Sequence, residues 1–280
     1  MRNKFLLFYL LIVFYAMIGC KSKATDPQVI DTTKSEKGWV KVWSDEFNYR
    51  GLPDSTKWGY DVGGSGWGNN ELQYYTSKRA ENARVLDSVL VIEARKEQWS
   101  NRNYTSARLV TRTKGDWTYG RFEIRAKLPA GRGTWPAIWM LPTKGTYGTG
   151  GWPDNGEIDI MEHVGYDDGN IHGSTHCKMY YFKIGTQKTA TIRIPDATST
   201  FHIYALEWNK DKMDMYVDNT KYFTVVNENK GWEAWPFDKD FHIILNIAIG
   251  GDWGGAKGID DNIFPQWLAI DYVRVYKWVE

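Results

Sequence analysis

The heptapeptide Phe122-Glu-Ile-Arg-Ala-Lys-Leu128 alternates apolar and polar side chains without a break. Successive side chains of a β-strand point to opposite faces, so this alternation predicts a strand with one buried and one wet face. Met213, Met215 and Val217 alternate in the same way before a turn at 218–219. Strands of this kind bury their apolar face against a second layer, which favours a fold of stacked sheets.

Two segments further along the chain extend this pattern. The nonapeptide FHIILNIAI, residues 241–249, is nearly apolar on both faces, which predicts a central strand in one of two stacked sheets. Residues 269–276 predict a closing strand. Strand and turn signals recur at short intervals, with no internal repeat of about 20 to 50 residues. We therefore expect an all-β fold, an antiparallel β-sandwich, rather than a propeller or a solenoid.

Composition narrows the functional classes. The chain has 280 residues, 42% of them hydrophobic, which suits one large folded domain. Its formal net charge of +1 and the absence of a basic cluster exclude the electrostatic footprint of a nucleic-acid-binding protein. The 15 tryptophans are unusual. Flat, rigid rings suit either a large core or stacking on sugar faces.

The N-terminus resembles an export signal. Arg2 and Lys4 precede an uncharged apolar run, 5–18, that is short for a membrane span. Gly19 directly before Cys20 resembles a bacterial lipoprotein cleavage box, in which Cys20 becomes the lipidated first residue of the mature chain. A conventional cleaved signal with an incidental cysteine is the alternative.

These features divide the chain into three parts. We expect a signal peptide at residues 1–19, the lipidated cysteine and a polar tether at 20–37, and the folded domain at 38–280. The expected product is an exported lipoprotein of the outer membrane, facing either the cell surface or the periplasm. The other cysteine, Cys177, is expected to be a buried free thiol.

The run Asn155–Gly165, NGEIDIMEHVG, carries three carboxylates in an apolar context. Glu157 and Asp159, two residues apart, share one strand face, whereas Glu162 should point to the other face. A β-bulge at 160–161 would insert one residue and return Glu162 to the shared face. We expect that bulge, because a merely structural strand would not carry three clustered acids.

Two glutamates on one face suggest a reaction. A retaining glycosidase needs two carboxyl groups about 5 Å apart, one as nucleophile and one as proton donor. Neighbouring carboxylates raise the pKa of the last one to ionise, which suits the proton donor. The alternative is a divalent-metal site, because the pattern ExDxxE also offers a set of oxygen ligands. The surrounding aromatic residues favour the glycosidase.

The same strand resembles the active-site strand of glycoside hydrolase family 16, in the laminarinase-like branch that has the additional bulge residue. Four other segments resemble that family: GWGNNELQYYT at 66–76, TYGRFEIRAKLP at 118–129, TWPAIWMLP at 134–142 and IDYVRVY at 270–276. The resemblance extends from about Val42 to Tyr276. It implies a β-jelly-roll with a concave substrate cleft, with Glu157 as nucleophile, Glu162 as general acid and base, and Asp159 between them.

The resemblance implies further site residues. His176 resembles a family histidine that approaches the proton donor, with a packed structural histidine as the alternative. Trp135 and Trp139, four apart on a predicted strand, share one face. The resemblance places this face in the cleft, where indole rings stack on successive sugars. Core packing is the alternative for either ring.

Four other residues complete the expected set. Asn69 and Arg108 should donate hydrogen bonds to sugar hydroxyls, and Trp253 should cap the cleft or fill a turn. In many family members, carboxylates at the positions of Glu46 and Asp271 meet at a structural calcium ion on the convex side. A structural calcium site is therefore expected here, with two solvated carboxylates as the alternative.

The resemblance predicts an endo-acting, retaining enzyme that needs no cofactor for catalysis and works as a monomer. Its expected partner is a neutral polysaccharide, because a sulfated one would call for a line of Arg and Lys. The bulged strand favours β-1,3-glucan, with mixed-linkage β-1,3/1,4-glucan also cleaved. A mixed-linkage-specific lichenase and a non-catalytic jelly-roll lectin are the alternatives, although a lectin has no use for an acid triplet.

Overall fold

The computed structural model describes residues 37–280. The predicted signal peptide, Cys20 and all but the last residue of the tether lie outside the described residues. Within 37–280, no helix is long and apolar enough to cross a membrane.

The described chain is built almost entirely from short strands. In chain order these are β1 (Gly38–Asp45), β2 (Gly59–Tyr60), β3 (Gln73–Tyr75), β4 (Ala83–Leu86), β5 (Val89–Trp99), β6 (Arg102–Ser106), β7 (Arg108–Val110), β8 (Asp116–Trp117), β9 (Gly120–Lys127), β10 (Thr134–Pro142), β11 (Glu157–Glu162), β12 (Asn170–His176), β13 (Lys188–Arg193), β14 (His202–Trp208), β15 (Lys212–Val217), β16 (Thr220–Val226), β17 (Phe241–Ile249) and β18 (Gln266–Val279). Two 3-10 helices span Phe182–Ile184 and Asp261–Ile263.

The strands form two sheets. The first has ten strands in the order β16-β15-β14-β9-β18-β5-β6-β3, with β1 also pairing β18 and β4 also pairing β5. The second has eight strands in the order β13-β12-β11-β10-β17-β7-β2, with β8 also pairing β17. One core cluster joins apolar side chains of both sheets. The predicted antiparallel sandwich is confirmed, with one exception: β3 pairs β6 in parallel.

The alternation seen in the sequence appears directly in the burial of the strands. In β9 every second residue is buried and its neighbours are half-buried, as expected for a sheet with one wet face. In contrast, all nine residues of β17 are buried. This strand lies between β10 and β7 at the centre of the second sheet, so the central strand predicted from residues 241–249 is confirmed.

The register of β11 confirms the predicted bulge. Glu157 lies opposite His176 and Asp159 opposite Ser174, but the next aligned pair is Glu162 with His172, so β11 carries one additional residue. The side chain of Met161 is fully buried and belongs to the core cluster. The bulge therefore turns two consecutive residues, 160 and 161, towards the core and returns the second glutamate to the opposite face.

A glycine directly precedes β11, because the backbone conformation and the surrounding core leave no room for a side chain there. Gly156 has φ of +87°, a conformation that disfavours side chains. A Cβ atom at this position would lie 2.7 Å from the ring of Phe237. The core therefore fixes the backbone immediately before Glu157.

Met161→Ala tests the bulge through stability. Because the side chain is buried, we expect truncation to lower the free energy of unfolding by about 2–5 kcal/mol. Met179, which is 38% exposed, supplies a matched control. Met179→Ala should change the free energy of unfolding by no more than about 0.5 kcal/mol. Denaturant unfolding measures both. Equal, small effects would show that Met161 does not face the core.

Candidate active site

The bulged strand β11 presents its three carboxylates to a cleft on the second sheet. The cleft has a volume of about 330 Å³, and its floor is formed by side chains of β7, β10, β11 and β17. Glu157, Asp159 and Glu162 all line it. In register, the two glutamates are four strand positions apart, which is about 13 Å between Cα atoms on a straight strand. The Glu157 carboxylate lies beside Asp159, with ligand atoms of the two within 4.8 Å of each other.

Glu157 is held by an indole and an imidazole. The Nε1 atom of Trp152 donates a hydrogen bond of 2.9 Å to its Oε2 atom. His176, directly opposite on β12, has its Nε2 atom 3.9 Å from Oε1. The Glu157 side chain is 17% exposed. One carboxylate oxygen is thus fixed by a donor, while the group as a whole remains open to the cleft.

Asp159 is the most buried of the three acids. Its side chain is only 3% exposed, and its Oδ2 atom lies 3.3 Å from Nε2 of His176. Ligand atoms of Glu157, Asp159 and His176 all lie within 4.8 Å of one another. His176 therefore lies at the Glu157 end of the cleft. In strand register it faces Glu157, whereas Glu162 faces His172. Its expected approach to the proton donor stays a prediction.

Glu162 is held by a second indole. The Nε1 atom of Trp135 donates a hydrogen bond of 3.0 Å to its Oε1 atom. The Trp135 ring packs edge-on against Trp253, with centroids 5.5 Å apart, and Trp253 packs against His172 at 4.9 Å. Trp253 does not line the cleft. Its ring contacts Trp135 instead.

The electrostatics of the triplet favour protonated carboxyls. Burial, followed by the negative charge of Asp159, raises the pKa of Glu162 to about 8. The same two causes raise the pKa of Glu157. The charge of His176 and the hydrogen bond from Trp152 oppose this rise. Burial also raises the pKa of Asp159, and a hydrogen bond with Glu157 opposes it. The three groups titrate as a coupled set, so they retain protons at neutral pH that isolated carboxyls would lose.

The other expected sugar-binding residues are brought together in the same cleft. Asn69, Arg108, Trp135 and Trp139 all line it. The Arg108 guanidinium lies between two indoles, 4.8 Å from the Trp67 ring and 4.6 Å from the Trp139 ring. It is only 8% exposed and pairs with Asp61. Arg108 therefore packs between two indole rings of the cleft. Because its guanidinium is already paired, it is less available to donate hydrogen bonds to sugars than predicted from the sequence.

Comparison with known proteins agrees with this geometry. Residues 70–273 match the family described as Glycosyl hydrolases family 16. The chain belongs to this family. The beta-glucanase of Rhodothermus marinus is 56% identical over 271 residues, covering 94% of this chain and 92% of that protein.

Solved structures support the same assignment. The X-ray structure of the laminarinase from Rhodothermus marinus superposes with a TM-score of 0.86 at 59% identity, covering 87% of this chain and 99% of that one. A non-specific endo-β-1,3(4)-glucanase of family 16, crystallised with a 1,3-β-D-cellobiosyl-glucose at its active site, gives a TM-score of 0.82 at 46% identity, covering 85% and 95%. The predicted family, its laminarinase-like branch and the β-jelly-roll are thereby confirmed.

Several residues of this family 16 cleft were not among the expected site residues. They are Trp67, Glu71, Trp152, Phe182, Lys183 and Asn246. Trp67 and Glu71 belong to the matching segment 66–76, and the others come from strands or loops that only the folded chain brings near β11. Asn246 accepts a 2.7 Å hydrogen bond from Trp139 Nε1, so it fixes that ring.

The two carboxylates of the predicted calcium site, Glu46 and Asp271, have different arginine partners. Glu46 accepts a two-pronged contact from Arg274, at 2.7 and 3.0 Å, and a further one from Lys41. The Arg274 hydrogen bond lowers the pKa of Glu46 to about 2. Asp271 pairs with Arg125 at 2.5 Å. Each carboxylate is paired with a different arginine, and the calcium site stays a prediction.

Asp159→Asn tests the coupled titration through thermal stability. In the folded state Asp159 keeps its proton well above its ordinary pKa of 3.8, whereas the unfolded chain releases it near that value. The contribution of Asp159 to the free energy of unfolding of the wild-type protein is therefore lost as pH rises from about 4 towards 8. The gain in Tm of the variant over wild type should be larger at pH 8 than at pH 5.

Asp214→Asn is the matched control. Burial opposes ionisation of Asp214, but hydrogen bonds from Lys212 and Thr224 leave its pKa below the ordinary value. Its ionised form thus stabilises the fold, and this variant should lose stability at both pH values. An Asp159→Asn variant that behaved like the control would refute the raised pKa.

Proposed function

We propose that this chain is an endo-acting, retaining β-1,3-glucanase that also cleaves mixed-linkage β-1,3/1,4-glucan. The observation that carries the proposal is the placement of Glu157 and Glu162 on one cleft face, each fixed by an indole N–H. The Rhodothermus marinus laminarinase and the non-specific β-1,3(4)-glucanase that share this fold support the choice of substrate.

The geometry divides the chemistry between the two glutamates. Glu157 attacks the anomeric carbon as a carboxylate while Glu162 donates its proton to the departing glycosidic oxygen. Burial raises the pKa of both glutamates to about 8, so the reactive form is the one in which Glu157, stabilised by the Trp152 N–H, is ionised while Glu162 keeps its proton. In the second step Glu162 removes a proton from water, which attacks the glycosyl–Glu157 ester. Two inversions at the anomeric carbon give net retention of its configuration. The reaction requires no cofactor.

Trp152, His176 and Asp159 affect the ionisation of the two glutamates. The Trp152 N–H stabilises negative charge on Glu157, and Nε2 of His176 lies 3.3 Å from Oδ2 of Asp159. When Asp159 is ionised, its charge adds to the burial that raises the pKa of both glutamates. Once Glu157 is esterified its charge is lost, so the pKa of Glu162 falls and this residue becomes a base.

The cleft suits an uncharged glucan. Four indole rings and two amides line it, the Arg108 charge is balanced by Asp61, and Lys183 is the other cation among the described lining residues. Sulfated polysaccharides are therefore poor candidates. The three acids and the indoles that hold them come from one chain, so we propose that the monomer is active.

Chemical rescue tests the assignment of roles. Glu157→Ala should lose about 10³-fold or more of the activity, because the nucleophile is removed. Azide should then enter the vacated space and give an α-glycosyl azide. Glu162→Ala, assayed on a substrate with a good leaving group, should give the β-azide through the intact ester. Nuclear magnetic resonance of the products measures the anomer, and exchanged anomers would reverse the two roles.

A panel of polysaccharides tests the substrate. Laminarin, curdlan, barley β-glucan, lichenan, carboxymethylcellulose and agarose are incubated with the enzyme, and reducing ends and product sizes are followed over time. We expect rapid release of mixed oligosaccharides from laminarin and slower cleavage of the mixed-linkage glucans. Cleavage of barley glucan without cleavage of laminarin would indicate a lichenase. Binding without any cleavage would indicate a lectin.

We also propose that the enzyme is exported and anchored to the outer membrane through a lipid on Cys20. The support is the sequence Gly19-Cys20 after an apolar run, followed by polar residues to position 37. The full-length protein, produced in a lipidating host, should enter the detergent phase in a phase-separation assay. Cys20→Ala should remain in the aqueous phase or retain its signal peptide. Equal partitioning of the two proteins would contradict the anchor.

A further inference from the structure

A second aromatic surface lies outside the cleft, at the end of β5. Trp99 is the last residue of that strand and is 40% exposed. Its ring lies over the guanidinium of Arg79, 4.7 Å from the ring centroid. These two residues, with Tyr74 and Ser77, line a groove of about 490 Å³. We call it the Trp99 groove.

The guanidinium beneath the Trp99 ring is itself held rigidly. Arg79 donates two hydrogen bonds to Glu97, at 2.6 and 3.0 Å, and a third to Asn82 at 2.7 Å. The Arg79 side chain is only 18% exposed. Because a two-pronged contact fixes the plane of a guanidinium, Trp99 rests on a preorganised support.

The fixed guanidinium beneath the exposed Trp99 ring makes this ring suited to stacking on a ligand. A ring that is already ordered loses little conformational entropy when a ligand stacks on it. The flat apolar face of a pyranose matches such a ring, and nearby hydroxyls such as that of Ser77 can accompany it.

The charges around the groove indicate a neutral ligand. The groove is lined by the cations Lys78 and Arg79 and by the anion Glu81, while Glu97 neutralises the arginine from below. This balance gives no net attraction for a sulfated or uronic chain. None of the residues that line the groove also lines the catalytic cleft in the part of the chain that the structure describes.

We propose that the Trp99 groove is a second, non-catalytic binding site for a neutral β-glucan chain, which holds the enzyme on polymeric substrate. This inference rests on the proposed β-glucanase activity and extends it to long and insoluble chains. A short oligosaccharide that fills only the cleft gains nothing from the groove. A polymer can occupy both sites, so its local concentration at the cleft rises.

Trp99→Ala separates the two sites. Activity is measured on laminaripentaose, which tests the cleft alone, and on insoluble curdlan. We expect unchanged kcat/KM on the pentasaccharide and about five- to ten-fold slower release of sugar from curdlan, the effect of losing one stacked ring. Retention of the protein on curdlan, measured in the inactive Glu157→Gln background to prevent digestion, should fall in parallel.

Trp267→Ala is the matched control, because Trp267 is 45% exposed and does not line the groove. This variant should match wild type on both substrates. Tyr74→Ala provides a second test within the groove and should also slow curdlan release only. If Trp99→Ala hydrolyses curdlan and is retained on it as well as Trp267→Ala, the proposal is overturned. The groove would then be assigned to a protein partner.

The two hypotheses fail in different ways. If wild type does not cleave laminaripentaose, the proposed function fails, and the glucan site fails with it. If wild type cleaves both substrates and Trp99→Ala loses activity on both equally, the residue acts on the cleft or on folding, and the separate site is refuted. Thermal unfolding of each variant identifies the folding case.

Discussion

The structure depends on confining three carboxyl groups to one buried strip of a single strand. Like charges at this spacing cannot all ionise in a poorly solvated cleft, so the protein must supply partners for them. Two indole N–H groups and one imidazole are those partners. They compensate part of the charge, while burial, followed by the charge of Asp159, raises the pKa of Glu162 to about 8.

The bulge and the tryptophans follow from this constraint. The bulge spaces the two glutamates while sending Met161 into the core. Some indoles, such as Trp58 and Trp208, are wholly buried and fill the space between the sheets. Others, such as Trp135 and Trp152, combine an apolar body with a donor directed at a carboxylate. The high tryptophan content therefore serves packing and catalysis together.

Much of the fold and the centre of the site could be predicted from the sequence, because both depend on local periodicity. Alternation identified β9 and the buried run of β17, and the spacing of the acids identified the bulge. Partners across the sheets could not be predicted this way. The position of His176 beside Asp159 follows from strand register, and the pairing of Glu46 with Arg274 joins residues distant in sequence. Phe182 and Lys183, in the first 3-10 helix, reach the cleft only through tertiary structure.

The central claim is that Glu157 forms a covalent bond to the sugar. A 2-deoxy-2-fluoro glucosyl or laminaribiosyl donor with an activated leaving group slows hydrolysis of that bond, so the intermediate accumulates. Mass spectrometry of the digested protein then locates the added mass. The account predicts a single modification, on Glu157. A modification on Glu162 or Asp159, or rapid turnover to an inverted product with no adduct, would contradict it.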